Sequence, residues 1–131
     1  MAESFLEDRV HGEPGFTAEA WYNPYGDCVE YHTVNEEVYA DRIDSLVTLH
    51  RSMLTSRVIG FQIKGIKAIL REHDFMIVGT KERVDGTISV LAIVMAALQT
   101  AKPKATIDQL EDLADLLTGL GNQKVSVPLA A

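Results

Sequence analysis

Residues 27–66 alternate between apolar and polar side chains with a period of two, in four short segments separated by polar turns. Successive side chains of a β-strand point to opposite faces, so this period is typical of strands that are buried on one side only. In the first segment, Val29 and Tyr31 fall on one face, whereas Glu30 and His32 fall on the other. The alternation therefore predicts an antiparallel sheet with one apolar and one polar face.

The predicted strands cover residues 27–32, 38–43, 46–51 and 59–64. The connections between them are short, which favours antiparallel neighbours and hence a meander. Two further apolar runs, at residues 75–79 and 125–127, can add strands, the second either at a sheet edge or only as a trailing end. The predicted fold class is α+β, with an antiparallel β-meander of about four strands packed against two or three helices.

Two helices are predicted directly after the sheet. The first covers residues 66–73, where apolar residues recur at helical spacing. The second runs through residues 91–99, follows a turn signal at Asp85-Gly86, and is capped by Asp85 or Thr87. Because this helix is apolar on nearly every side, it needs cover either from the core or from another subunit.

The last helix has the clearest signals. Thr106 and Gln109 fit a capping box, in which each side chain bonds a free backbone amide of the other residue. Gly119 or Gly121 is expected to end the helix. The predicted buried stripe consists of Ile107, Leu110, Leu113, Ala114 and Leu117.

Length and composition indicate one globular domain. The chain has 131 residues, of which 47% are hydrophobic and 24% charged, and this is close to the average for globular proteins. The first twenty residues contain Gly12, Pro14 and Gly15 and few apolar side chains. We therefore expect a flexible N-terminal arm over residues 1–20 and a single α+β domain over residues 21–131.

Several classes of protein are disfavoured by the composition. Cys28 is the only cysteine, so an internal disulfide is excluded and a reducing cytosol is the expected compartment. No basic segment followed by an apolar one opens the chain, and the longest apolar run, residues 90–98, is far shorter than the ~20 residues that span a bilayer. The net charge of -7 argues against nonspecific nucleic-acid binding. We expect a cytoplasmic protein without a membrane partner.

If the strands pair in chain order, six polar side chains share the face opposite the apolar one. They are Glu30, His32, Thr48, His50, Gln62 and Lys64. Two histidines and a carboxylate within cross-strand reach could bind a divalent metal or act as acid–base groups, and Lys64 could attract an anion. The simpler interpretation is a face that is polar because it is solvated, as in many antiparallel sheets. Both interpretations stay open, and the sequence does not decide whether the chain is an enzyme.

No catalytic or cofactor-binding motif accompanies these residues. His11 and His73 lack the spacing of zinc ligands, and the chain has neither a nucleophilic-serine elbow nor a phosphate-binding loop. Gly60 and Gly65 lie inside and after a strand instead of opening a helix, so they indicate a bulge or close backbone packing. The motifs therefore assign no catalytic residue, no metal ligand and no cofactor.

Three stretches carry a family resemblance: residues 39–44 (Tyr-Ala-Asp-Arg-Ile-Asp), 46–49 (Leu-Val-Thr-Leu) and 58–63 (Val-Ile-Gly-Phe-Gln-Ile). Together with the strand before them, at residues 27–66, they resemble the YuzE-like domain of unknown function. That family combines short alternating strands, an acid-rich middle and a final strand in which an apolar pair precedes glycine. The resemblance implies an antiparallel sheet with a packed helix, and it implies no activity.

A small monomer is not expected to bury all of its apolar surface at three predicted places. They are the apolar helix at residues 88–98, the aromatic turn at residues 21–25, and Leu46 with Val58 on the polar sheet face. A symmetric dimer is the commonest way to cover such surfaces. We therefore expect a homodimeric accessory or protein-binding module. The alternative is a protein or enzyme that binds a small ligand or a metal at the polar face.

Overall fold

The computed structural model describes residues 17–72 and 85–128, and within them it confirms the α+β class. Five strands form one antiparallel sheet, and the helices share a core with its apolar face. The strands of this sheet are β1 (Trp21–Asn23), β2 (Cys28–His32), β3 (Val38–Arg42), β4 (Val47–Ser52) and β5 (Val58–Lys64). The remaining elements are α1 (Ile66–Glu72), β6 (Asp85–Ser89), α2 (Val90–Ala101), a 3₁₀ turn (Lys102–Lys104), α3 (Ile107–Leu120) and β7 (Lys124–Pro128).

The strands lie across the sheet in the order β1-β2-β5-β4-β3. β3, β4 and β5 form a meander, but β2 pairs with β5 and not with β3, so pairing of all strands in chain order is wrong. The composition of the strands explains the difference. β3 carries Asp41 and Arg42, which suit an edge. β2 and β5 instead place Tyr31 opposite Phe61, an apolar pair that suits the middle of the sheet.

The two-residue alternation holds across the sheet. Glu30 and Gln62 lie directly opposite each other in the β2–β5 pair, so they share the outer face. The inner face is almost completely removed from water, because each of its main side chains is at most 2% exposed: Val29, Tyr31, Val47, Leu49, Phe61 and Ile63. These residues form one core with the buried residues of the helices.

Helix α2 begins after a strand and not after a turn. Asp85 and Gly86 belong to β6, which pairs with β7, so the predicted turn at these residues is wrong. The N-cap is Ser89, not Asp85 or Thr87, and its Oγ accepts a hydrogen bond from the backbone N–H of Ala92 at 3.3 Å. At Asp85 and Gly86 the pairing of β6 with β7 therefore overrides the local preference for a turn.

The capping box of α3 is confirmed, and Gly121 is the residue that follows its last turn. The predicted stripe is wrong in part, since Ile107 is 74% exposed and Ala114 is exposed. The fully buried residues of this helix are Leu113, Leu116 and Leu120. The first turn is held to β3 by a hydrogen bond from Gln109 to Asp41 instead of by apolar packing.

The ends of the described chain lie beside each other. The side chain of Gln123 accepts a hydrogen bond from the Ala20 N–H at 2.7 Å and donates one to the Ala18 carbonyl at 3.0 Å. The predicted strand at residues 125–127 is present in β7, which pairs with β6 in a separate two-stranded sheet.

Several predictions fall on other parts of the chain. Residues 1–16 of the predicted arm, the predicted strand at 75–79, and the histidines at 11 and 73 lie outside the described residues. In the part of the chain that is described, no helix has the length and apolar character needed to cross a bilayer.

Candidate functional site on the polar sheet face

All six predicted site residues lie on the outer face of the sheet, in or beside three cross-strand rows of β2, β5 and β4. The middle row places Glu30 opposite Gln62, and Gln62 opposite Thr48. Thr48 is only 7% exposed. Lys64 belongs to the row on one side of this, where it is exposed. The histidines belong to the row on the other side, so the row of Glu30 and Gln62 lies between the histidines and Lys64.

The closest side-chain contact on this face joins two histidines from strands that are not neighbours. His32 Nε2 lies 2.7 Å from His50 Nδ1, and the ring planes are nearly perpendicular, at 86°. β2 and β4 flank β5, so their backbones are separated by about 10 Å. Both histidines are paired with Gly60 of β5, and their rings meet above it.

Gly60 makes this contact possible. A Cβ atom built on Gly60 would lie 2.3 Å from His32 Cδ2 and 2.3 Å from the carbonyl oxygen of Tyr31. The imidazole ring therefore occupies space that a side chain at position 60 would fill. The register of the β4–β5 pair also shifts between His50 and Arg51. The sequence interpretation of Gly60, as a site of close packing or a bulge, agrees with both observations.

The protonation of the histidine pair follows from its surroundings. Burial lowers the pKa of His32, and burial together with the proximity of His32 lowers the pKa of His50, whereas Glu30 acts in the opposite direction on both. Both rings are therefore mainly neutral at neutral pH. A neutral pair at this distance shares one N–H, which one nitrogen donates to the lone pair of the other.

Glu30 makes two contacts that are longer than the contact between the histidines. Its Oε2 lies 3.4 Å from the Gln62 Nε2 donor and 3.6 Å from the Cys28 Sγ. Burial and the charge of Glu30 both raise the pKa of the Cys28 thiol. Cys28 is therefore a protonated, 2% exposed side chain and not an activated nucleophile.

A cleft of about 190 Å³ opens beside His32, between β2 and the segment that precedes β1. Glu19, Trp21 and Glu30 also line it, so two carboxylates and one imidazole border the same space. Among residues 17–72 and 85–128, no group of three or more His, Cys, Asp or Glu side chains is placed to hold a metal ion. A metal bound at this face would thus depend on the two histidines.

A second surface surrounds a charge network near β3. Arg51 Nε donates to Asp41 Oδ2 at 2.7 Å, and Arg51 Nη2 lies 3.2 Å from Asp112 Oδ2. Gln109 Nε2 donates to Asp41 Oδ1 at 3.0 Å. This network fastens the beginning of α3 to strands β3 and β4.

Four exposed apolar side chains belong to β3, to the turn after β4 and to the first turn of α3, and we call them the edge surface: Tyr39 (41% exposed), Met53 (58%), Leu54 (71%) and Ile107 (74%). Tyr39 is paired with Arg51, and Met53 follows Arg51 by two residues. Ile107 precedes Gln109 by two residues in the first turn of α3. The sequence patterns did not predict this surface, because they assigned Ile107 to the buried stripe of α3 and gave the other three side chains no place on a surface.

The backbone of β3 leaves one side unpaired among the described residues. Glu37 and Ile43, which flank the strand, both bond to the backbone on the β4 side. Hydrogen-bonded and non-bonded pairs alternate in an antiparallel ladder, so Tyr39 and Asp41 also direct their backbone groups toward β4. The residues that direct their N–H and C=O groups away from the sheet are Val38, Ala40 and Arg42.

The surfaces predicted for association differ in exposure. Helix α2 exposes Leu91 (40%) and Met95 (53%), and the first hairpin exposes Trp21 (50%) and Tyr25 (99%). Tyr22 of the same hairpin packs against the core, and its hydroxyl donates to Asp27 at 2.7 Å. Leu46 and Val58 were predicted as an apolar surface on the polar face, but they pack against the hydrophobic core.

No protein-family model, curated protein or solved structure matches this chain. The resemblance to the YuzE-like domain therefore stays a prediction. The three stretches that carry it, residues 39–44, 46–49 and 58–63, fall in β3, β4 and β5 and in the turn between the first two.

Proposed function

We propose that this protein is a homodimeric accessory or protein-binding module of the cytoplasm, and that a second copy of the chain binds along β3 (Val38–Arg42). The observation behind this proposal is that, among the described residues, the outer edge of β3 has no strand partner and four apolar side chains of β3 and of neighbouring segments are exposed. An edge strand offers main-chain hydrogen bonds to another strand, and apolar neighbours add contact area.

The backbone geometry of β3 favours a symmetric pair. If the two-fold axis passes beside Ala40, the outward N–H and C=O groups of Ala40 in one copy meet those of Ala40 in the other. Val38 then lies opposite Arg42 of the second copy, and no like charges face each other. Such an interface is isologous, as in most soluble homodimers.

The edge surface supports the same pairing through its composition. Tyrosine, methionine and arginine are enriched in protein interfaces, and Tyr39, Met53 and Arg51 lie together here. The charge of Arg51 is already balanced by Asp41 and Asp112. A second copy would therefore cover this apolar area without burying Arg51 as an unpaired charge.

The proposal is tested by sedimentation equilibrium of the wild-type chain and of Ala40→Pro. The substitution removes an N–H that β4 does not use, so the sheet keeps its own hydrogen bonds. In the dimer it removes two symmetry-related hydrogen bonds, which together contribute about 2 kcal/mol, or roughly thirtyfold in the dissociation constant. A wild-type chain that stays monomeric at micromolar concentrations, or an Ala40→Pro chain that dimerises as well as the wild type, rejects the proposal.

A matched pair of tyrosine substitutions tests the edge surface. Tyr39→Glu places a charge on the proposed interface and should weaken the dimer, whereas Tyr25→Glu changes a side chain that is 99% exposed in the β1–β2 turn and should not. Met95→Lys on α2 separates this interface from the helix that the sequence favoured. Dissociation caused by Met95→Lys but not by Tyr39→Glu would move the interface to α2.

A second candidate function, binding of a small ligand or metal at the polar sheet face, is favoured by the contact between His32 and His50. It does not require self-association, because the histidines lie on β2 and β4 and not on the outer edge of β3.

A further inference from the structure

We infer that His32 and His50 form an open binding site for a late divalent transition metal, with a preference for Cu²⁺ or Ni²⁺ over Zn²⁺. The chain supplies two imidazole nitrogens, His32 Nε2 and His50 Nδ1. Each ring binds in the tautomer that carries its N–H on the other ring nitrogen, so the metal replaces the hydrogen bond between the rings, and water fills the other coordination positions. The inference makes the second candidate function specific and is independent of dimerisation at β3.

The distance between the two nitrogens supports this metal preference. A metal–nitrogen bond is about 2.05 Å long, so two nitrogens at right angles on one metal stand roughly 2.9 Å apart, whereas two at a tetrahedral angle stand roughly 3.3 Å apart. The observed separation is 2.7 Å. The right-angled arrangement of tetragonal Cu²⁺ and Ni²⁺ therefore needs only a small opening and a tilt of the rings, and the tetrahedral arrangement of Zn²⁺ needs a larger one.

The fold holds the two rings close before any metal binds. Both histidines are anchored on strands that flank β5, and the missing side chain of Gly60 leaves the space in which the rings meet. Preorganised ligands lose less conformational entropy when the metal binds. The half-buried position of both rings leaves one side open to water, so the remaining coordination positions are accessible.

The charges around the histidines favour a cation. Glu30 lies close enough to affect both rings electrostatically. Glu19 and Glu30 both line the cleft beside His32. Lys64, the one lysine among the predicted site residues, belongs to a pair that is four pairs away from the histidine row along the β2–β5 ladder. A cation bound at the histidine pair would therefore have the carboxylates of Glu19 and Glu30 on the His32 side.

Trp21 provides the measurement. It is the only tryptophan of the chain, and it lines the same cleft as His32. Cu²⁺ and Ni²⁺ quench indole fluorescence at short range, and Zn²⁺ does not quench but competes for the ligands. We expect saturable quenching by Cu²⁺ with one equivalent per chain, weaker binding of Ni²⁺, and reversal by a larger excess of Zn²⁺.

Variants assign the ligands. His32→Gln and His50→Gln should each weaken Cu²⁺ binding by at least about tenfold, since each removes one of two protein ligands. The double variant His11→Gln/His73→Gln removes the other histidines, and Cys28→Ser removes the thiol on the same face; both should bind Cu²⁺ as the wild type does. Circular dichroism checks that each variant folds.

The electron paramagnetic resonance spectrum of the wild-type chain with one equivalent of Cu²⁺ gives an answer that needs no variant. Hyperfine coupling to two imidazole nitrogens is the expected result. The inference is overturned by a spectrum without two such nitrogens, by absence of saturable quenching, or by quenching that persists in His32→Gln and His50→Gln. Loss of quenching in the His11→Gln/His73→Gln control also overturns it. A monomeric chain that still binds Cu²⁺ in this way would reject the dimer alone.

Discussion

At Gly60 a single missing carbon atom determines what the polar face can do. His32 and His50 lie on strands about 10 Å apart, and their rings touch only because nothing projects from the strand between them. The same position brings the backbone of β5 close to Tyr31 of β2. Position 60 therefore controls both the histidine contact and the packing of the two central strands.

Gly60→Ala should be strongly destabilising. The new Cβ would lie 2.3 Å from a backbone oxygen, which cannot move without disturbing the β2–β5 ladder. We expect the free energy of unfolding to fall by about 3 kcal/mol or more, at the upper end of the cost of overpacking. Urea denaturation followed by circular dichroism measures it.

The control for this prediction is the same substitution at Gly119. This residue is exposed in α3, and the nearest atom to an added Cβ is the Tyr31 hydroxyl at 3.8 Å, an ordinary contact. Because alanine is the better helix former, Gly119→Ala should raise stability by roughly 0.5–1 kcal/mol. Equal effects at the two positions would contradict the steric role of Gly60.

Among the elements, α3 and β3 depend on each other through Gln109. Its Oε1 accepts the hydrogen bond of the Thr106 N–H in the capping box, and its Nε2 donates to Asp41 on β3. One side chain therefore both begins the helix and attaches it to the sheet edge. The position of the edge surface depends on this attachment, because Ile107 lies in the same turn.

Gln109→Glu separates the two roles. The glutamate can still accept the hydrogen bond of the cap, but it places a carboxylate beside Asp41 where an amide donated before. We expect a loss of roughly 0.5–1.5 kcal/mol at neutral pH, because Asp41 is only partly buried and keeps its hydrogen bond from Arg51. Gln99→Glu, an exposed position on α2, is the matched control and should change stability by less than about 0.5 kcal/mol. Similar losses in the two variants would show that the contact with Asp41 contributes nothing.

Local patterns predicted the elements better than their partners. The two-residue period located β2 and β5 and placed Glu30 and Gln62 on one face, and the capping box located α3. Strand order could not be predicted from the sequence. β2 pairs with β5, which is distant in the sequence, and no local pattern indicates that partner. The histidine contact depends on this order, so the sequence grouped His32 with His50 on a face but did not show that they touch.

At the scale of the whole molecule, the two sides of the sheet serve different purposes. The inner face and the helices form the core. The outer face carries the histidine pair. The β3 edge has no strand partner in the part of the chain that the structure describes, and exposed apolar residues lie on β3 and on neighbouring segments. A dimer joined at β3 would extend the sheet and leave both copies of the outer face open, so ligand binding and self-association are compatible.

Amide hydrogen exchange of β3, measured by NMR at high and low protein concentration, tests the proposed dimer most directly. The amides of Tyr39 and Asp41 bond to β4 and should be protected at both concentrations. The amide of Ala40 faces outward and should be protected only at the concentration where the dimer forms. Fast exchange of the Ala40 amide at every concentration, in a sample that sedimentation shows to be dimeric, would contradict pairing of two copies along β3.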